Sequence, residues 1–100
     1  MSRRSQLKVA SERCFDAGFR LAAIAQRDSE MHERAEHAAL SALVATMDLG
    51  LTAFVKILAQ AAMRFAAGRH EEAALQYETV GMAMRQALNF GKDREDAPAS

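Results

Sequence analysis

The sequence predicts an all-α fold, an elongated bundle of three long helices or of four. Three observations lead to this prediction. Apolar residues recur at steps of three and four in three separate segments, as on one face of a helix. No segment alternates between apolar and polar residues with the period of a strand. Hydrophobic residues make up 50% of the chain, and many of them are alanine, which favours helix and buries little surface.

The first segment has the rhythm of a coiled coil. Phe15 and Phe19 flank its seam and should widen it, as in a bundle helix. Asp28 or Ser29 can cap a following helix, so we place a break there, although a continuous charged helix through residues 26–37 is an open alternative. The seam itself consists of Leu7, Ala10, Cys14, Ala17, Leu21 and Ile24.

A second, longer seam runs through the centre of the chain, and Gly50 is its ambiguous position. The polar stripe keeps its phase across Gly50 and no capping residue adjoins it, which favours one continuous helix of about 57 Å. The alternative is a break at Gly50 and four helices in all. The seam consists of Leu40, Leu43, Met47, Gly50, Phe54, Leu58, Ala61 and Phe65.

The third segment is bounded by glycines. Gly68 should end the preceding helix, and Glu71 and Glu72 suit the first turn of the next. Gly91 is predicted to end that helix, giving one helical domain over residues 1–91 and a disordered tail over 92–100. The seam of this segment consists of Ala73, Tyr77, Val80, Met84 and Ala87.

Charge and cysteine content limit the classes of function. Lys plus Arg and Asp plus Glu number 13 each, which argues against nucleic acid as the main partner. Cys14 is the one cysteine and is predicted to be a small buried apolar group. A lone cysteine and the lack of a signal-like apolar run predict a cytoplasmic protein. The most apolar stretch, 49–67, carries Lys56 and Arg64, so no membrane span is expected.

The densest group of metal-ligand side chains consists of His32, Glu33, Glu36 and His37. A di-iron bundle needs a Glu-x-x-His step on two helices, and neither histidine has glutamate three residues before it. A solvated polar segment is therefore favoured, and a metal or small-ligand bundle is kept as an alternative. Ser41 beside His37 is the nearest approach to a catalytic pair and fits a polar stripe better, so neither an enzyme nor a cofactor is predicted.

Arginine recurs every seven residues at Arg13, Arg20, Arg27 and Arg34, beside the first seam. Such residues cover apolar surface with their stems, and a ridge that recognises an acidic partner helix is the alternative. The chain has 6 methionines, a residue common on surfaces that accept varied apolar partners, and Met82 lies off the third seam as a candidate exposed contact.

Residues 57–88 resemble a tetratricopeptide repeat. The segment 66–73 is similar to the central turn of the repeat, whereas Val80 and Arg85 depart from its small alanine and closing proline, and Gln60 and Arg64 replace large side chains. The glutamate-rich turn and Tyr77 are also similar to a microtubule-interacting-and-trafficking hairpin. The residues at repeat spacing are Ile57, Ala61, Gly68, Ala73 and Tyr77.

Both resemblances imply a helical hairpin that binds a peptide or helix. The chain is also similar in size and helical content to small tetratricopeptide-like chaperones of bacterial type III secretion, which sequester a helical subunit.

The excess of apolar face over available cover predicts a protein-interaction module, chaperone-like or adaptor-like, that accepts a partner helix in an open groove. Its partner is expected to be a protein, with self-association and an oligomer expected as well. A structural homodimer without a separate client is the alternative. The predicted groove consists of Leu43, Met47, Phe54, Leu58, Phe65, Tyr77, Val80 and Met84.

Overall fold

A computed structural model describes the backbone of residues 2–25 and 32–96, and the side chains of 2–25 and 32–90. These residues form four helices: α1 (Arg3–Ala25), α2 (His32–Asp48), α3 (Thr52–Ala66) and α4 (His70–Asp96). The described residues contain no strand, so the all-α prediction is confirmed. Within the same residues, no helix combines the length and the apolar character needed to cross a membrane.

The four helices form a ring in which each packs mainly against its two neighbours. α1 contacts α4 and α2 extensively, α3 contacts α4, and α2 and α3 contact each other least. The molecule measures 54 × 22 × 21 Å, so one dimension exceeds the other two more than twofold. The ring has one weak edge, between α2 and α3.

Small residues bring α1 and α4 close together. A Cβ atom added at Gly18 would lie 3.1 Å from the carbonyl oxygen of Ala74, and one at Gly81 would lie 3.3 Å from the Cβ of Cys14. The hydroxyl of Ser11 donates a hydrogen bond to the carbonyl oxygen of Gly81, at 3.0 Å. The bundle is therefore built on the α1–α4 pair, with α2 and α3 added to it.

The chain turns at Gly50, so the prediction of one continuous central helix is wrong and its four-helix alternative is correct. Gly50 has a φ of +71°, a left-handed conformation that is costly for other residues. Leu49 is buried and Leu51 is partly buried against the core, which anchors both sides of the turn. Arg3 donates a hydrogen bond to the carbonyl oxygen of Leu49, at 3.0 Å.

The ends of α3 and α4 agree only in part with the predicted helix boundaries. Gly68 has a φ of +83° just after the end of α3, and Glu71 and Glu72 lie in the first turn of α4, as predicted. The helix end predicted at Gly91 is wrong, because α4 continues to Asp96. The break predicted at Asp28 or Ser29 lies outside the described residues, as do residues 97–100 of the predicted tail.

The seams of α1 and α4 form most of the core. The α1 seam is buried from Ala10 to Ile24, with Leu7 partly buried beside it, as predicted. Phe19 does not widen this seam, because its side chain is 75% exposed. On α4 the buried apolar residues are Ala73, Ala74, Tyr77, Val80 and Met84.

Candidate functional site

The face that α2 turns toward the core is made of small side chains. Its buried residues are four alanines and one threonine, and the threonine hydroxyl donates a hydrogen bond to the carbonyl oxygen one turn earlier, at 2.8 Å. Because small side chains let the helix approach its neighbours closely, α2 needs no large apolar residue on this face. The five residues are Ala35, Ala38, Ala39, Ala42 and Thr46.

The large apolar residues of α2 lie on another side of the helix and are open to solvent. Leu40 and Val44 are each 52% exposed and Met47 is 55% exposed. Steps of four and three residues place all three side chains along one stripe. Leu43 is partly buried next to this stripe, against the core. The hydrophobic character of α2 is therefore greatest where the bundle does not cover it.

This stripe continues into a cleft at the weak edge between α2 and α3. The cleft has a volume of about 340 Å³, and Leu40 forms part of its wall. Its other lining residues are His32, Glu36, Ala39, Ala62, Phe65 and Ala66. We call the stripe and the cleft together the α2–α3 surface, with Leu40, Val44 and Met47 as its large residues and Ala39, Ala62 and Ala66 as its small ones.

Aromatic rings close one end of the α2–α3 surface. The ring of His32, at the start of α2, stacks on Phe65 with centroids 4.9 Å apart. The ring of His70 lies 5.2 Å from Phe65 and 6.2 Å from His32, so the three rings form one cluster. These contacts hold the first turn of α2 against the end of α3. Together with the short turn at Gly50, they show that α2 and α3 run antiparallel.

The structure does not open the groove that the sequence predicts. Leu58, Phe65, Tyr77, Val80 and Met84 are buried within the chain, and Leu43 and Phe54 are partly buried. Of the eight predicted groove residues, only Met47 is exposed. The prediction placed these residues around a long helix with little cover. The turn at Gly50 instead folds α3 back beside α2, and the four helices enclose them.

The histidines and carboxylates at the start of α2 do not form a metal site. Within the part of the chain that the structure describes, no three His, Cys, Asp or Glu side chains are placed to hold one ion. His32 is instead engaged with Phe65.

The repeated arginines line a separate cleft, of about 630 Å³, between α1 and α2. Arg13, Arg20 and Arg34 contribute to it, while Arg27 lies outside the described residues. Asp16 and Glu33 line the same cleft, and Arg20 donates hydrogen bonds to both carboxylate oxygens of Asp16, at 3.1 Å. The cleft thus has mixed charge, and the acidic-partner ridge stays a prediction.

The exposed position of Val44 does not follow from the spacing of large apolar residues alone. The signal that could have found it is the alanine spacing at 35, 38, 39 and 42, which marks a second helical face. The sequence predicted Leu40 as part of the central apolar seam, whereas its side chain is exposed.

Comparisons with known proteins give no relative for this chain. No protein-family model matches it, and searches of curated proteins and of solved structures found no match. The helical hairpin of α3 and α4 is present, while the resemblance of residues 57–88 to a tetratricopeptide repeat stays a prediction.

Proposed function

We propose that this chain is a protein-interaction module, not an enzyme, and that its α2–α3 surface binds one face of an amphipathic helix. The observation that supports the proposal is the reversed character of α2, which buries alanines and exposes Leu40, Val44 and Met47. Single exposed apolar residues are ordinary on a protein surface. A continuous stripe beside a cleft is typical of a surface that another protein covers.

Covering the exposed stripe supplies part of the free energy that binding of a helix requires. Complete burial of a leucine, valine or methionine side chain contributes about 1.5–3 kcal/mol. The three side chains are about half exposed, so covering them adds roughly 3 kcal/mol before the helix contributes its own buried residues.

The shape of the surface also suits a helix. The cleft is a short channel between two antiparallel helices, formed by the first half of α2 and the end of α3. A third helix can lie in such a channel with its apolar residues in the cleft, as in other helix-in-groove complexes. The chaperone-like or adaptor-like role implied by the repeat resemblance belongs to this proposal, with the binding surface moved from the predicted groove to the α2–α3 surface.

Selection of helical peptides tests the proposal. A displayed library of amphipathic helices is bound to the full chain, and we expect enrichment of sequences with apolar residues at steps of three and four. The enriched peptides should lose binding to a Leu40→Lys variant. They should keep binding to Leu75→Lys, which places the same charge at an exposed leucine of α4. Equal loss in both variants, or no enrichment by a chain that is monomeric under the same conditions, would refute the proposal.

A further inference from the structure

Resting on the proposed function, we propose that the helix bound at the α2–α3 surface is α2 of a second copy of this chain. The two copies pair about a twofold axis with their α2 helices antiparallel. In such a pair the same surface contributes from both sides, so it has to be complementary to itself.

The shapes on the α2–α3 surface meet this requirement. Large side chains project from α2 at Leu40, Val44 and Met47. Small side chains, Ala62 and Ala66 of α3, line the cleft beside Leu40. A twofold rotation brings the projecting residues of one copy over the alanine-lined cleft of the other. A client helix needs only projecting side chains to fill the cleft. The α2–α3 surface has both projecting side chains and a cleft, so it can pair with a second copy of itself.

The charges near the surface are also complementary between two copies related by a twofold axis. Glu36 lines the cleft about one turn before Leu40. Lys56 is exposed on α3, two turns before the exposed Met63. Because α2 and α3 are antiparallel, Glu36 lies toward the Phe65 end of the helix pair and Lys56 toward the Gly50 end. A twofold axis near the centre of the surface places Glu36 of one copy toward Lys56 of the other, where opposite charges attract. The chain carries no net charge that would oppose pairing.

The area of the face is adequate for a dimer of moderate affinity. α2 has 17 residues and is therefore about 25 Å long, and two adjacent helices are about 20 Å wide. Covering this face on both copies buries roughly 1,000 Å², which is about the minimum for a biological interface and is typical of weak, transient ones. We therefore expect a dimer that dissociates on dilution.

Sedimentation equilibrium of the full chain over a range of concentrations tests the inference. We expect a reversible monomer–dimer equilibrium, with the dissociation constant raised at least about tenfold by Val44→Lys. Circular dichroism should show unchanged helix content, because Val44 lies outside the core. Leu75→Lys is the matched control and should leave the dissociation constant unchanged.

Charge reversal tests the orientation of the pair. Glu36→Lys and Lys56→Glu should each weaken the dimer, and the double variant should recover most of the wild-type affinity. A dimer that is insensitive to Val44→Lys, or single charge variants whose effects simply add, would overturn the inference.

A chain that stays monomeric at every concentration would also overturn it. If this monomer still binds helical peptides through Leu40, the proposed function stands and only the second copy as occupant is excluded. If it binds neither peptides nor itself, both proposals fail.

Discussion

Three buried hydroxyl groups in the interior of the bundle, those of Ser11, Thr46 and Tyr77, donate hydrogen bonds to backbone carbonyl oxygens. The hydroxyl of Tyr77 donates a hydrogen bond to the carbonyl oxygen of Ala39, at 3.1 Å, and so ties α4 to α2 across the core. Burial, followed by interaction with Cys14, raises the pKa of Tyr77 above its ordinary value. Burial also raises the pKa of the Cys14 thiol to about 11, and a hydrogen bond with Thr46 offsets part of this effect.

The raised pKa of Cys14 predicts a loss of stability at alkaline pH. The thiol has an ordinary pKa of 9.0 and a value of about 11 in the folded chain. Between these values the unfolded chain releases its proton while the folded chain retains it. The contribution of Cys14 is therefore complete below pH 9 and falls as the pH rises toward 11, by about 1.4 kcal/mol per pH unit at most.

Urea denaturation at a series of pH values measures this effect, with Cys14→Ala as the comparison. The variant should be less stable at pH 8 because it loses buried volume, but its stability should fall less steeply between pH 9 and 10. Tyr77 is retained in both proteins and accounts for a shared decline above pH 10. Parallel curves for the two proteins would contradict the prediction.

At the scale of the elements, the sequence predicted helix positions well and the turn at Gly50 poorly. The turn occupies only Leu49–Leu51, so it does not disturb the spacing of apolar residues on either side. Leu51 occupies the N-cap position of α3 without a side-chain hydrogen bond, so the usual sequence signal for a helix start is absent. The end of α4 was missed for the opposite reason, because Gly91 is a frequent terminator but is accommodated within this helix.

Substitution of Gly50 by alanine tests the turn. A left-handed conformation costs about 1–2 kcal/mol for a residue with a Cβ atom, and a Cβ at Gly50 would meet no other atom within 4 Å. We expect Gly50→Ala to lower the free energy of unfolding in urea by about 1 kcal/mol. In a continuous helix the same change would be stabilising by a similar amount, since alanine is the better helix former.

Gly68→Ala is the matched control for this experiment, because Gly68 also has a positive φ and free space around its Cβ position. Both variants should be destabilised to a similar extent. If Gly50→Ala stabilises the chain while Gly68→Ala destabilises it, the helix continues through residue 50 in solution.

At the scale of the molecule, the core was predictable only in part and the exposed surface was not. The seam of α1 is buried as predicted, whereas Leu58, Tyr77, Val80 and Met84, which the sequence placed in an open groove, are buried in the same apolar cluster. The turn at Gly50 sets the arrangement of the helices in space. This arrangement determines whether α1 or solvent covers the cluster. The exposed stripe of α2 was not predicted because the buried face of this helix is made of alanines. Alanines stabilise the packing by allowing close approach of the helices, and they bury little apolar area.

Pairing through the α2–α3 surface predicts that thermal stability depends on protein concentration. When unfolding is accompanied by dissociation, each tenfold increase in concentration stabilises the dimer by about 1.4 kcal/mol. Shared between two chains of this size, this amounts to an increase in Tm of about 3–5 °C. Calorimetry over about two decades of concentration should therefore show a rising Tm for the wild-type chain and for Leu75→Lys. Val44→Lys should begin to rise in Tm only at concentrations at least about tenfold higher, and a constant wild-type Tm would contradict the pairing.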